Sequence, residues 1–415
     1  MILLSNVLHD NAPAHILVDG DRIKRISREP LEVRDAAVID CTGKAVLPGF
    51  VNMHTHAAMI LLRGIHEDKS LYRWLDGIWK IEAGLDGDFI YWGTKAACLE
   101  MVRSGTTTFN DQYWFSPHAR RAAVEMGLRP AVSFIFLDGH NPEMVLRQRD
   151  ACRRLYERTL DWGPESLFTI SIHSVYTVSE ENILWAAQFA RDHGLRIHMH
   201  LAETALEDAD CRKAHGGLSP TEYFDSLGIL GPDVIAAHSL HLSDHDVAIL
   251  GERRVSCVHN INSNLKLASG FRFRFNELRE AGANVCLGTD GAASSNNLDM
   301  LEHMKTAALL QKAWRGDPAE LPLPELLDAA TVNGARALGL DTGKVREGAL
   351  ADLQLIDLSG TAFLSPGSVL ANLVYAAHSD VISDVMVAGR WVMRDRKVPG
   401  EEEILAGARS VLKQI

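Results

Sequence analysis

Eight short apolar runs, each followed by a loop and a helix-like stretch, fill the middle of this 415-residue chain. They begin near Gly49, Gly105, Arg129, Phe168, Arg196, Val234, Val255 and Asn284. The segments between them are amphipathic; in residues 180–193, Ile183, Leu184, Ala187 and Ala190 fall on one helical face. Eight βα units are the number that closes a (β/α)8 barrel of TIM type, and such barrels run to about 250 residues as one unit. A doubly wound open sheet is the alternative, but no GxGxxG phosphate loop follows an early strand. The expectation is an α/β fold with a TIM-type barrel at its centre.

Both ends read differently from the middle. Ile16-Leu17-Val18-Asp19-Gly20-Asp21-Arg22-Ile23 is an apolar run, an Asp-Gly turn and a return, which signals a hairpin. Residues 37–41 and 45–49 continue in that style, and the pattern resumes at 351–357 and 385–392. Two β-rich ends around a βα middle predict a small β-sandwich domain formed from both termini. The expected boundaries are 1–49 and 346–415 for its two parts, with the barrel over 50–345.

Charge and composition narrow the functions. With 42 basic and 54 acidic residues the chain carries −12, which repels phosphate backbones and makes nucleic acid an unsuitable partner. No apolar run approaches the roughly 20 residues of a membrane span. The apolar start Met1-Ile2-Leu3-Leu4-Ser5 is too short for a signal sequence and lacks a basic flank, so it reads as a first strand. Six scattered cysteines read as reduced, buried small hydrophobes. The expected compartment is the cytoplasm and the expected partner a small molecule. The oligomeric state stays open, a homo-oligomer being one option, because Trp74, Trp79 and Trp92 suit a core, a cover over the site or a subunit interface equally.

Active-site residues of a barrel sit at the C-terminal ends of its strands. Here run one ends in His54-Thr55-His56, run four in His173, run five in His200-Leu201-Ala202-Glu203, run six in His238 and run eight in Asp290. His54 and His56, two apart on a strand, share a face. Each alone has an ordinary explanation, such as a helix cap for Asp290. The set on four strands does not. His54, His56 and His200 offer three nitrogens and Asp290 an oxygen, leaving a position for water. A divalent metal lowers the pKa of such a water toward ~7. Asp290 can also accept the water's proton, His238 can orient it, and Glu203 can donate a proton to a substrate ring nitrogen. Run four contains no lysine to bridge a metal pair, which predicts one ion. Zinc is favoured by the ligand types, with iron and manganese as alternatives.

The chain resembles the amidohydrolase superfamily over nearly its whole length. Residues 46–56, ending His54-Thr55-His56, look like that superfamily's opening signature. Within it the chain is most similar to the 5-methylthioadenosine/S-adenosylhomocysteine deaminases. The strings that carry this are residues 54–59 leading to Leu61-Leu62-Arg63-Gly64, then Ser263-Asn264-Leu265-Lys266-Leu267-Ala268-Ser269-Gly270, and Gly288-Thr289-Asp290-Gly291-Ala292-Ala293-Ser294. The resemblance implies metal ligation by His54, His56, His200 and Asp290, and substrate contacts from Glu82, His173 and Glu203. A carboxylate such as Glu82 can accept from both ribose hydroxyls, and His173 can donate to a purine nitrogen. The implied reaction is hydrolytic deamination of an adenine nucleoside to an inosine-type product and ammonia.

The chain departs from the family pattern twice. The usual proline after the seventh strand is Ile261. The arginines that bind the amino-acid carboxylate of S-adenosylhomocysteine near strands three and four have no clear counterpart in residues 134–142; Arg147 and Arg149 follow, and read as helix surface charges. The expectation is a preference for uncharged 5′ groups, as in methylthioadenosine, 5′-deoxyadenosine or adenosine. Two rivals stand beside this reading. One is a related hydrolase of an s-triazine, guanine or pterin, disfavoured by Glu82; the other is a barrel scaffold without activity, disfavoured by the complete set of site residues.

Overall fold

The computed structural model describes residues 1–415, with the side chain of Gln414 left out. Five strands come first: β1 (Ile2–His9), β2 (Ala12–Asp19), β3 (Arg22–Ser27), β4 (Ala37–Asp40) and β5 (Lys44–Pro48). Eight follow in the middle: β6 (Phe50–Thr55), β7 (Thr106–Asp111), β8 (Arg129–Phe136), β9 (Leu167–Ile172), β10 (Arg196–Leu201), β11 (Val234–His238), β12 (Ser256–His259) and β13 (Asn284–Leu287). Three close the chain: β14 (Leu353–Asp357), β15 (Ile382–Val387) and β16 (Arg390–Met393).

Strands β6 to β13 pair in sequence order, all parallel, as right-handed βα repeats require. Each starts within one residue of its expected place. The strands are almost continuously buried, as in a parallel sheet covered on both faces. The ring is drawn shut beyond the last ladder. Backbone N–H groups of Thr289 and Asp290 donate to His54 O at 3.1 and 2.9 Å. The Asn52 amide donates to Thr289 Oγ1 at 2.7 Å and accepts from Thr289 N at 3.0 Å. The same seam therefore joins His54 to Asp290.

The remaining strands form a mixed sheet in the order β16-β15-β14-β5-β1-β2-β3, with β4 beside β1. They belong to one hydrogen-bonded network, which β1 forks: Ile2–Ser5 pair with β4 and Leu8 pairs with β5. Leu4, Val7, Ile16, Val18, Ile23, Leu353, Leu355 and Met386 form its own core. Alternate residues of β14 face the barrel instead, where Gln354 Nε2 donates to Pro48 O at 2.9 Å. A Cβ at Gly105 would overlap the Gln354 side chain, and Gly105 has φ +85°, so glycine is required there twice over. A buried ion pair, Arg129 Nη1–Asp352 Oδ2 at 2.5 Å, locks the base of β8 to this sheet.

The connection from β6 to β7 is the long one. A 3₁₀ turn (Ala57–Leu62) leads to helices Leu71–Glu82 and Gly87–Arg103. Leu71, Trp74, Leu75 and Ile78 pack in one apolar cluster with Met59, Leu62, Tyr113 and Leu267, bringing the first helix over the barrel mouth. Trp92 instead packs near the C-terminal helix Glu401–Val411, where a Cβ at Gly407 would strike its indole.

Candidate active site

Strand ends bring five of the expected side chains into one cluster. His54 lies near the end of β6 and His56 directly follows it, His200 lies near the end of β10, His238 ends β11 and Asp290 follows β13. Imidazole centroids of His54, His56, His200 and His238 are 4.9–5.5 Å from one another in the neighbouring pairs. Two subsets, His54/His200/His238 and His54/His56/Asp290, each present ligand-type atoms within 4.8 Å of one another. Asp290 Oδ1 stands 3.4 Å from His54 Nε2 and 3.2 Å from His56 Nε2. Ligand atoms at about 2.0–2.1 Å from a tetrahedral zinc ion are roughly 3.3 Å apart. His54 Nε2 is buried and has no hydrogen-bond partner. The donor set therefore fits a divalent metal of zinc type.

Each imidazole is aimed from behind. His56 Nδ1 meets Gln112 O at 2.5 Å and His200 Nδ1 meets His173 O at 2.8 Å; a carbonyl can only accept, so both rings carry their proton on Nδ1 and turn Nε2 inward. His54 Nδ1 faces His198 Nε2 at 2.9 Å, and His198 is held by Asn110 at 3.1 Å. Asn264 donates to His238 Nδ1 at 2.9 Å. Asp290 Oδ2 accepts from Ser263 Oγ at 2.5 Å and Ser294 Oγ at 2.9 Å, and Oδ1 accepts from Gly291 N at 2.8 Å.

The electrostatics divide the carboxyl groups. Burial alone would raise Asp290, but the neighbouring His54 and His56 imidazoles overcome it and hold its carboxyl well below the usual range. Burial, then the charges of Asp290 and Glu207, push Glu203 well above the usual range, so it retains its proton more readily. Glu203 Oε2 lies 3.7 Å from His238 Nε2. Burial pushes His238 and His173 down to about 3, leaving both neutral at physiological pH. Opposed carboxyl groups in one site are the pattern of an acid and a base.

A cavity above the cluster is lined by His56, Trp74, Trp79, Glu82, Tyr113, His173, Glu203, His238 and Asp290. Glu82 accepts from Tyr113 Oη at 2.6 Å, and burial raises its carboxyl. The free space is about 60 Å³, well under the ~300–1,000 Å³ of ligand pockets, and Trp74 and Trp79 form part of its wall. Arg149 lies elsewhere, donating to Asn182 Oδ1 and Glu181 O, both at 2.8 Å, and Arg147 is exposed on the same helix. Ile261 opens helix Ile261–Lys266 and is fully buried. That is a first-turn position, where an ordinary residue serves the helix as well as proline does.

The supporting residues His198, Asn110, Gln112, Tyr113 and Glu207 were not singled out in the sequence. His198 gave one signal, standing two residues before His200 on the same strand face. Glu207 gave none, since Glu within a polar helix turn is commonplace. Its carboxylate accepts from Ala202 N at 2.9 Å and Glu203 N at 2.7 Å, pinning the turn that presents Glu203.

The chain is similar over most of its length to known proteins. The amidohydrolase family model matches residues 45–392. The chain is 42% identical to 5′-deoxyadenosine deaminase of Methanoregula boonei, over 98% of this chain and 93% of the relative. It is 43% identical to 5-methylthioadenosine/S-adenosylhomocysteine deaminase 1 of Archaeoglobus fulgidus, over 97% and 95%. Among solved structures, an adenosine deaminase from Xanthomonas campestris with bound zinc superposes with a TM-score of 0.89 at 32% identity, covering 97% of this chain and 94% of that one.

Proposed function

The chain belongs to the amidohydrolase family, and on that premise we propose that it hydrolytically deaminates an adenine nucleoside, releasing ammonia and an inosine-type product. The observation that carries the reading is the placing of two buried carboxyl groups, Glu203 and Asp290, on one cavity, with Glu203 Oε2 3.7 Å from His238 Nε2. Deamination at a ring carbon needs such a pair: an acid for the ring nitrogen and a base for the attacking water.

We assign one zinc ion to His54, His56, His200 and Asp290. A divalent ion held there would supply Lewis-acid activation, making water nucleophilic near neutral pH. The remaining work belongs to the side chains. Asp290 takes the proton from the attacking water. His238, neutral and fixed by Asn264, orients that water toward the amino-bearing carbon. Glu203 protonates the adjacent ring nitrogen, so that negative charge does not build up on the purine as the water adds. Asp290 then passes the proton it took to the amino group, which leaves as ammonia as the C–N bond breaks, and the proton of the added hydroxyl returns to Glu203, leaving the ring carbonyl of the inosine-type product. His173 contacts the purine and Glu82 the ribose hydroxyls. Both are held from behind, His173 by Thr177 Oγ1 at 2.9 Å and Glu82 by Tyr113.

The surroundings suit this role. No helix of the described residues is long and apolar enough to cross a membrane, and the six cysteines are buried and unpaired, which suits reduced cytoplasm. The test is ammonia release by zinc-loaded protein from 5′-deoxyadenosine, methylthioadenosine, adenosine, guanine and an s-triazine. Release from the adenosines and not from the free base or triazine is expected. The opposite ranking would keep the metal chemistry and remove Glu82 and His173 from their roles.

A further inference from the structure

We propose that Lys266 is a positioning residue for the nucleoside: its ammonium fastens the helix that carries Glu82 over the barrel mouth, and so sets the strength of ribose binding without touching the substrate; this rests on the ribose contact given to Glu82 above. Within residues 263–270, Ser263 donates to Asp290, Asn264 to His238 and Ser269 to Glu203, so each serves the cavity. Lys266, which ends helix Ile261–Lys266, serves the rim instead and is not among the residues that line the cavity. Its Nζ lies 2.8 Å from Glu67 Oε2 and 2.9 Å from Oε1, and donates to Asn296 Oδ1 at 2.5 Å and Ala293 O at 3.2 Å. Asn296 Nδ2 donates in turn to Glu67 Oε1 at 3.3 Å. An ammonium has three N–H groups, and these three residues take all of them. One cation thereby joins the loops that follow β6, β12 and β13.

The loop after β6 needs such a tie. Residues 63–70 form neither helix nor strand, and Ser70 makes no side-chain hydrogen bond at the start of helix Leu71–Glu82. Gly64, His66 and Asp68 take left-handed φ of 78°, 60° and 58°. The last two are not glycine, so this course is adopted against steric resistance and has to be held by contacts beyond the loop. The pair Arg63–Glu100, at 2.6 Å, anchors its start, and Lys266–Glu67 anchors its end. The helix itself has two further polar ties, Tyr72 Oη with Thr204 Oγ1 at 3.3 Å and Glu82 with Tyr113. Leu267, next to Lys266, packs in one apolar cluster with Leu71, Trp74, Leu75 and Ile78. Without the cation that cluster still holds the helix, but Glu82 is placed for the ribose in only a fraction of molecules. Binding weakens by that fraction, whereas the bound complex turns over as before.

The test compares adenosine with 2′,3′-dideoxyadenosine, the latter read as substrate or as competitive inhibitor. In zinc-loaded Lys266→Met, KM for adenosine should rise about tenfold, the scale of one charge-assisted contact, with kcat nearly unchanged and zinc content equal to wild type. Glu67→Gln, at a partly exposed loop position, should do the same, and the double variant should be little worse than either alone. The dideoxy compound offers Glu82 no hydroxyl, so wild type and variants should bind it alike. An equal loss of affinity for both compounds, or a loss confined to kcat, would overturn the positioning role and leave Glu82 on the ribose. A wild type that does not prefer adenosine to the dideoxy compound would overturn the Glu82 contact, and the role of Lys266 with it.

Discussion

Glu207→Gln tests whether a residue that touches neither substrate nor metal sets the acid of the site. In the wild type its two oxygens accept the N–H groups of Ala202 and Glu203. The amide of the variant keeps one acceptor and turns an NH₂ group toward the other N–H, leaving a buried donor unsatisfied at a cost of ~1–3 kcal/mol. A second effect depends on pH. Burial lifts the Glu207 carboxyl from 4.5 to about 7 in spite of its backbone hydrogen bonds. Folding thus favours the protonated acid, so its contribution is full below about 4.5 and is lost as pH rises toward 7. At ~1.36 kcal/mol per unit that loss is about 3 kcal/mol. Glutamine has no such term. Denaturant titrations at pH 4.5 and 7.5 should therefore show the wild type losing about 3 kcal/mol relative to the variant. Catalysis gives an independent readout. A displacement of Glu203 by about 1 Å costs up to ~100-fold in kcat, with zinc content unchanged. The Glu207 charge is also one of the causes that hold Glu203 high, after burial and Asp290. Without it Glu203 loses its proton earlier, and the alkaline limb of the kcat profile moves to lower pH. A variant with a pH-independent stability difference and an unmoved alkaline limb would refute the reasoning, whatever its activity.

Glu203→Gln should lower kcat by ~10²–10⁴-fold, with zinc stoichiometry by elemental analysis equal to wild type; normal turnover would remove Glu203 as the acid. Zinc at a hundredfold excess over its Kd should stabilise the protein by ~2.7 kcal/mol against the chelated form, and His54→Ala should abolish that increment in a denaturant titration. Arg129→Ala leaves Asp352 buried and unpaired and should cost about 3–5 kcal/mol, whereas Arg129→Met with Asp352→Leu should recover most of it. Nucleoside binding should change the intrinsic fluorescence of Trp74 and Trp79, because both line the cavity that would admit the base; a silent signal at saturating ligand in Trp114→Phe protein would count against that placement of the base.

What was legible in the sequence was whatever repeats or clusters. The eight strands announced themselves because a parallel strand buried on both faces is a dense apolar run, and each had to be followed by a covering helix. His54, His56, His200, His238 and Asp290 stood out because each ended such a run. The forked pairing of β1 was not legible, since Ile2–Ser5 and Leu8 belong to one continuous apolar stretch and only the partner strands tell them apart. The wall over the site was equally hidden. Trp74, Trp79 and Trp92 have the same local signature, yet two line the cavity and one packs near the C-terminal helix, a choice made by the long excursion between β6 and β7.

The supports of the site were the least legible part, and backbone geometry says why. Ala202 (φ 49°), His238 (φ 70°), Ser239 (φ 45°) and Asp290 (φ 59°) all take left-handed conformations where strands β10, β11 and β13 give way to loops. A strand delivers alternate side chains to opposite faces, so a functional group beyond the ladder reaches the axis only if the chain turns sharply. None of these four residues is glycine, and each such conformation costs on the order of 1–3 kcal/mol. Each turn is offset by hydrogen bonds outside the strand ladders. Glu207 holds Ala202 and Glu203; Ser239 N donates to Leu201 O at 2.8 Å; Ser263, Ser294 and Gly291 hold Asp290. A ligand is recognisable by its own chemistry, whereas a support is recognisable only by the strained bond it secures. The positive φ of Ala202 is therefore the feature from which the role of Glu207 follows: an alanine has no polar side chain to hold that conformation, so the Glu207 carboxylate on its N–H, with Leu240 N and His241 N on its carbonyl, keeps Glu203 aimed at the cavity.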